Sequence, residues 1–174
     1  GRKVVSLLGS INFRKGIKLL LESIPLLPEE DYFFLIAGKS SLTAQQENDL
    51  QTFEKSRSNC LFSLEKIPDE SCFNAPIAES DLIFAAYKQF TGSSNLLTKA
   101  AAFRKPVIVS HGFCMGQRVE QYGTGQTTGE DNAGECSAAI RSLCTEAKTP
   151  LHAFDRYAHE HTVEKLITCF NQIS

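Results

Sequence analysis

Four apolar runs constrain this chain more than any other feature. Lys3–Leu8, Tyr32–Ala37, Leu82–Ala86 and Val107–Ser110 are each four to six residues long and almost free of charge. A strand with one wet face alternates polar and apolar residues, whereas an unbroken apolar run suits a strand covered on both faces. Between the runs lie stretches with helical spacing, such as Ile17, Leu20, Leu21 and Ile24, closed by Pro25 and Pro28. Strands alternating with helices predict an α/β, Rossmann-like, doubly wound fold: a six-stranded, mainly parallel sheet with helices on both faces. Cys60–Leu64 and a weak Gln126–Thr128 supply the remaining strands. No Gly-, Ser- or Pro-rich linker interrupts the 174 residues, so residues 1–174 read as a single domain.

The helical stretches follow in order. Thr43–Ser56 is polar, with Leu50 and Phe53 facing in, and Pro68–Glu79 is a short helical connection. Leu96–Phe103 is an apolar helix stopped by Arg104-Lys105-Pro106, and Met115–Tyr122 is a second short one. Gly123-x-Gly125 reads as a turn. Asp131 or Asn132 caps a helix through Ala147, with Ala139, Ile140, Leu143 and Cys144 inward. After Pro150, His152–Ile173 reads as one last helical stretch with Tyr157, Val163, Leu166, Ile167 and Phe170 as its apolar positions.

Composition and missing motifs exclude several functions. A net charge of -2 gives no basic field for nucleic acid or an anionic membrane. No apolar run approaches a transmembrane segment, no signal peptide is visible, and a cytoplasmic location is expected. Met115 is the single methionine, so the sequence reads as a domain excised from a longer chain. None of the six cysteines forms a C-x-x-C pair, and reduced thiols are expected, Cys136 and Cys144 as a core stripe on one helix. Cys114 stands apart, in a loop at the candidate site. His159 and His161 point to different faces of a helix, which argues against a shared metal, and no metal or cofactor is expected. Gly9 is followed by Ser10-Ile11-Asn12 rather than G-x-G-x-x-G, so a standard NAD site is not indicated. P-loop and G-x-S-x-G patterns are missing too.

The candidate site lies in Phe90–Gly125. Gly92-Ser93-Ser94-Asn95 opens an apolar helix, and His111-Gly112 follows the strand after it. In a parallel sheet these places share one rim with Gly9 and Gly38, and ligands bind on that rim. Ser93, Ser94 and Asn95 are good N-cap residues, and a helix N-terminus attracts anions. Lys15, with Arg14 beside it, brings positive charge from the first loop to the same rim. Lys99, one turn into the helix, either faces the same anion or lies on the solvated side. The plainer alternative spends Ser93 and Asn95 on capping and Lys15 on Glu22 or Glu65.

Order and spacing resemble one family across nearly the whole chain. The opening strand with Gly9 and Lys15-Gly16, Ile36-Ala37-Gly38, Lys99-Ala100-Ala101-Ala102 and Lys105-Pro106-Val107-Ile108 are similar to the C-terminal, donor-binding domain of retaining GT-B glycosyltransferases of group 1. Gly125 resembles that family's threonine-glycine turn. The resemblance implies that the substrate is a nucleoside diphosphate sugar. It implies, too, an acceptor-binding N-terminal domain in the same chain, without which the fragment is expected to be inactive. It places the diphosphate at Gly92–Asn95 with Lys15, the base against the loops at Gly38 and Lys66, and the sugar toward His111–Met115. Three positions depart from the family: Ser10 stands where it has arginine, and Thr91 and Lys99 where its signature has two glutamates. Two functions therefore stay open: the nucleotide-sugar half of a divergent transferase, and a non-catalytic binding or scaffold domain that has lost the donor site.

Overall fold

The computed structural model describes residues 1–145, 149–162, 164, 165, 167, 168 and 171. Its elements run β1 (Lys3–Leu8), α1 (Ile17–Ser23), β2 (Tyr32–Ala37), α2 (Ala44–Lys55), β3 (Cys60–Ser63) and α3 (Glu70–Glu79). They continue with β4 (Leu82–Ala85), α4 (Asn95–Ala102), β5 (Val107–Ser110), α5 (Phe113–Tyr122), β6 (Gly125–Thr128), α6 (Ala133–Thr145) and α7 (Leu151–Glu160). The six strands form one sheet in the order β3-β2-β1-β4-β5-β6, and every pairing is parallel.

The apolar runs are explained by the period-2 alternation of a strand. Val5 and Leu7 of β1, Phe34 and Ile36 of β2, Leu82 and Phe84 of β4 and Ile108 of β5 enter one core, against Leu19 and Leu20 of α1, Leu50 of α2 and Ile140 of α6. Leu8, Ala37, Ile83, Ala85, Val107 and Val109 enter the other, against Ile77, Leu96, Ala100, Val119 and Phe154 of α3, α4, α5 and α7. Strands β1, β2, β4 and β5 thus bury residues on both faces, while β3 and β6 at the sheet edges stay partly exposed. At about 25 cal/mol per Å² of apolar surface, that burial is the main term holding the layers together.

Several boundaries differ from the sequence expectation. Helix α4 begins at Asn95, and α5 begins at Phe113 rather than Met115, which puts Cys114 in a helix and not a loop. Gly125 is not part of a turn: it opens β6 beside Val107, where a Cβ would lie 1.9 Å from the Val107 carbonyl oxygen. Of the two caps expected for α6, Asn132 is the one, its Oδ1 accepting the Glu135 N–H. Helix α7 ends at Glu160 with His161 as its C-cap, stacked on the Tyr157 ring at 4.1 Å, so His161 is not on the helix with His159; residues 164, 165, 167, 168 and 171 are helical again, so the expected last helical stretch is interrupted at residues 161 and 162. Ala147, Val163, Leu166, Cys169, Phe170 and Ile173 lie outside the described residues. The core stripe of α6 is present, with burial pushing the Cys136 thiol up to about 11 and that of Cys144 up to about 12. Among the described residues no helix is long and apolar enough to cross a membrane.

Two glycines shape the rim at the carboxyl ends of the strands. Gly38 has φ 140°, and a Cβ on it would fall 1.8 Å from the Gly9 carbonyl oxygen, so the ends of β1 and β2 touch backbone to backbone. Gly16 has φ 76°, and a Cβ there would meet the Ala86 carbonyl at 2.1 Å. That contact seats the β1–α1 loop on the end of β4, together with the hydrogen bond from Lys88 N–H to the Arg14 carbonyl at 2.7 Å.

Candidate functional site

Strand β1 connects onward to β2 on one side, while β4, its other neighbour, connects onward to β5 in the opposite direction. Between such strands the outgoing loops part and leave a crevice at the carboxyl edge, the place where open parallel sheets bind ligands. A cavity of about 270 Å³ opens there. Leu8, Gly9 and Ser10 form its floor at the end of β1, Ser94, Asn95 and Leu96 one wall at the start of α4, and Glu70 and Phe73 of α3 another. Lys15 and Tyr87 close one side, and Lys99 lies deeper. A cleft of about 340 Å³ at the opposite end of the sheet, near Lys3 and Asp81, is larger. It sits at the amino ends of the strands, away from the rim where open parallel sheets bind ligands, and we assign it no role.

The start of α4 is built for the purpose by its own sequence. Ser94 has extended backbone, and its Oγ accepts the Leu96 N–H at 3.3 Å. Apolar Leu96, Leu97, Ala100 and Ala101 then bury the helix against the sheet, which fixes the direction of its dipole toward the cavity. Tyr87, 4 % exposed, follows β4 and places Oη 3.5 Å from Ser94 Oγ. The Lys15 ammonium lies over the Tyr87 ring at 3.8 Å from its centroid. Neither Glu22 nor Glu65 takes Lys15: Glu22 pairs with Lys18 instead.

Lys99 is not on the solvated side of its helix. Its side chain is only 18 % exposed, is ion-paired with Glu70 and hydrogen-bonded to Asn74 Oδ1 at 3.1 Å, and lies over the Phe73 ring. The cavity therefore holds two ammonium groups, one of them matched by a carboxylate.

Of the residues singled out by sequence, Ser10, Lys15, Ser94, Asn95 and Lys99 line the cavity together. Gly38 is buried behind it as the close contact with Gly9. Arg14 turns outward over the Phe90 ring at 5.6 Å. Ser93 faces α5, where its Oγ accepts from Arg118 at 2.6 Å. Thr91, Gly92 and Lys66 are on the rim but do not line the cavity. His111 is turned toward α6: its Nε2 lies 2.6 Å from Glu135 Oε1. The Gly129 N–H, and after it His111, hold the Glu135 carboxyl below the usual carboxylate range. Glu70, Phe73 and Tyr87 were not anticipated; Tyr87 alone carried a signal, as a polar-tipped residue at the end of an apolar run. Among the described residues no group of three or more His, Cys, Asp or Glu is placed to hold a metal ion.

Residues 2–146 match the family model for glycosyl transferases group 1. Curated protein sequences give no significant match. Among solved structures, HepE of Anabaena in complex with UDP and glucose superposes with a TM-score of 0.82 at 15% identity, over 99% of this chain and 48% of that one. The C-terminal domain of LpcC, a group 1 glycosyl transferase of Francisella tularensis, gives 0.74 at 14% identity, over 94% of this chain and 88% of that one. WaaG, a glycosyltransferase involved in lipopolysaccharide biosynthesis, gives 0.69 at 16% identity, over 91% and 42%. The chain thus spans less than half the length of WaaG and HepE, and its fold is that of a GT-B C-terminal domain. At such identities the superpositions speak for fold alone, and kinship rests on the family model: the chain belongs to the glycosyl transferases of group 1.

Proposed function

We propose that this domain is the nucleotide-sugar binding half of a glycosyltransferase that moves a sugar from a nucleoside diphosphate to an acceptor. The acceptor would be held by a further, N-terminal domain of the same protein. The observation that carries the proposal is the cavity at the β1–β4 crevice, where the α4 N-terminus and the Lys15 ammonium converge. The donor's diphosphate occupies that convergence, its oxygens taking N–H groups of the first turn of α4, the Ser94 and Asn95 side chains and the Lys15 ammonium. A structural neighbour, HepE, was solved in complex with UDP and glucose, which supports the ligand class. As the glycosidic bond breaks, negative charge grows on the leaving diphosphate. The helix dipole and Lys15, already in place, stabilise it without reorganising. A helix end and one ammonium contribute about 1–3 kcal/mol at a partly open site. That corresponds to high-micromolar to millimolar binding of UDP once the base adds contacts. The domain by itself leaves the reaction open to water and supplies no acceptor groups, so it is inactive alone.

The pairing of Lys99 with Glu70 favours a second reading, a non-catalytic binding domain, since a neutralised cation stands where the family has a carboxylate. An amide NMR titration with UDP separates the two. Shifts at Gly9, Ser10, Lys15, Ser94 and Asn95 that Lys15→Ala weakens support the donor site. A flat titration to millimolar UDP overturns it in favour of the non-catalytic domain.

A further inference from the structure

The two lysines of the cavity are held in opposite ways. Lys99 spends its donors on Glu70 and Asn74. Lys15 is held by a ring face: its ammonium sits 3.8 Å from the centroid of Tyr87, and among the described residues no carboxylate forms an ion pair with it. An ammonium over an aromatic face is attracted by the ring quadrupole yet keeps N–H donors for another acceptor, which a carboxylate partner would have taken. The ring itself is fixed. It is almost fully buried, packs edge-on against Phe90 at 5.4 Å, and its backbone carbonyl accepts the Ser110 hydroxyl at 2.7 Å. Its Oη reaches Ser94, the cap of α4, at 3.5 Å. One side chain thus touches both parts of the anion-binding convergence, from a strand end 72 residues beyond Lys15.

We propose that Tyr87 is the positioning residue of this cavity: its ring seats the Lys15 ammonium with donors unspent, and this seat is what makes Lys15 available to an oxyanion. The ligand in this inference rests on the donor-site proposal above; the seat does not. A ring contributes through its face, so Tyr87→Phe keeps the function and Tyr87→Leu loses it.

The first test needs neither ligand nor variant. In the free wild-type protein the Lys15 Hε resonances are expected upfield of their random-coil positions because of the Tyr87 ring current; random-coil positions overturn the proposal. The second uses UDP as the probe in a double-mutant cycle. Tyr87→Leu and Lys15→Met each weaken UDP binding by about 3- to 10-fold, the range for cation–π and charge-assisted contacts. The double variant is no weaker than either, and Tyr87→Phe stays within about twofold of wild type. Additive losses, or Tyr87→Leu binding like wild type, overturn the proposal. Should Tyr87→Leu fail to fold, the wild-type resonances still decide. Should wild type give no UDP binding, the donor site falls, and upfield Lys15 resonances uphold the seat without it.

Discussion

The Lys99 ammonium on α4 is held by the Glu70 carboxylate at the start of α3, a contact between a side chain 18 % exposed and one 73 % exposed. The deeper partner is fixed by packing and the outer one is not, so the pair opens from the Glu70 side. Its exposure limits what it adds to stability. Its effect on an anionic ligand is larger, because Glu70 cancels a positive charge facing the cavity. Glu70→Gln is therefore expected to tighten UDP binding by about two- to fivefold, with little change in thermal midpoint. Calorimetric titration checks this; weaker binding in the variant would mean that Glu70 itself touches the ligand.

Ser94 separates capping from binding. Ser94→Ala removes the cap and costs about 1 kcal/mol, while Ser94→Asp keeps it, since both residues cap well. The aspartate places a negative charge at the anion site. Denaturant melts should therefore show Ser94→Asp near wild type, and UDP titrations should show it at least about tenfold weaker. Retained binding in Ser94→Asp would remove the diphosphate from the α4 N-terminus.

Gly38 and Gly123 are both left-handed, but only Gly38 is crowded. A Cβ on Gly123 meets nothing within 4 Å, and one on Gly38 meets Gly9. Gly123→Ala is expected to cost about 1–2 kcal/mol of backbone strain. Gly38→Ala is expected to cost about 3 kcal/mol or more, because β1 and β2 must part. Equal losses in denaturant unfolding would show that the strand ends can give.

At the opposite edge, Lys3 Nζ and Val4 N–H each lie 2.9 Å from an Asp81 oxygen, tying β1 to the start of β4. Burial pushes the Asp81 carboxyl up, but Val4 N–H and Lys3 together outweigh it and hold the group below its ordinary 3.8. A carboxyl lowered in the folded state stabilises fully above the unfolded value. That contribution fades as pH falls below 3.8 and through the folded value. Between neutral pH and this window, the wild-type midpoint is expected to fall about 2–4 °C further than that of Asp81→Asn, its partial exposure allowed for. Parallel pH profiles would show that the pair contributes nothing.

The sheet was legible in the sequence because β1, β2, β4 and β5 are apolar on both faces, a pattern no half-wet strand produces, in runs of four to six residues too short for a buried helix. The rim was legible because Gly9, Gly38 and the Ser94 cap sit at strand and helix ends, where local rules hold. What was not legible depended on partners far along the chain. Lys99 turned inward because Glu70 and Asn74 of α3 wait there, and an eight-residue helix with Thr98 before the lysine and three alanines after it gives it no evident face. His111 was drawn to Glu135, 24 residues on, and so away from the cavity. Tyr87 follows the Leu82–Ala86 run directly, and nothing local but its polar tip marked it as part of the site. The break after α7 falls at residues 161 and 162, inside a stretch whose apolar spacing gives no sign of it.

The place of β1 in the sheet also sets an order of events as the chain folds. Lys3–Leu8 can pair with β2 as soon as residues 32–37 have formed, but its other partner is β4, and Val5 must wait for Leu82. Closing so long a loop is slow, and until it closes β1 offers a bare ladder of N–H and C=O groups. The crevice that receives the ligand is the same seam. The pocket is thus a late product of folding, and any segment of this chain that stops short of residue 82 carries a sticky central strand and no binding site.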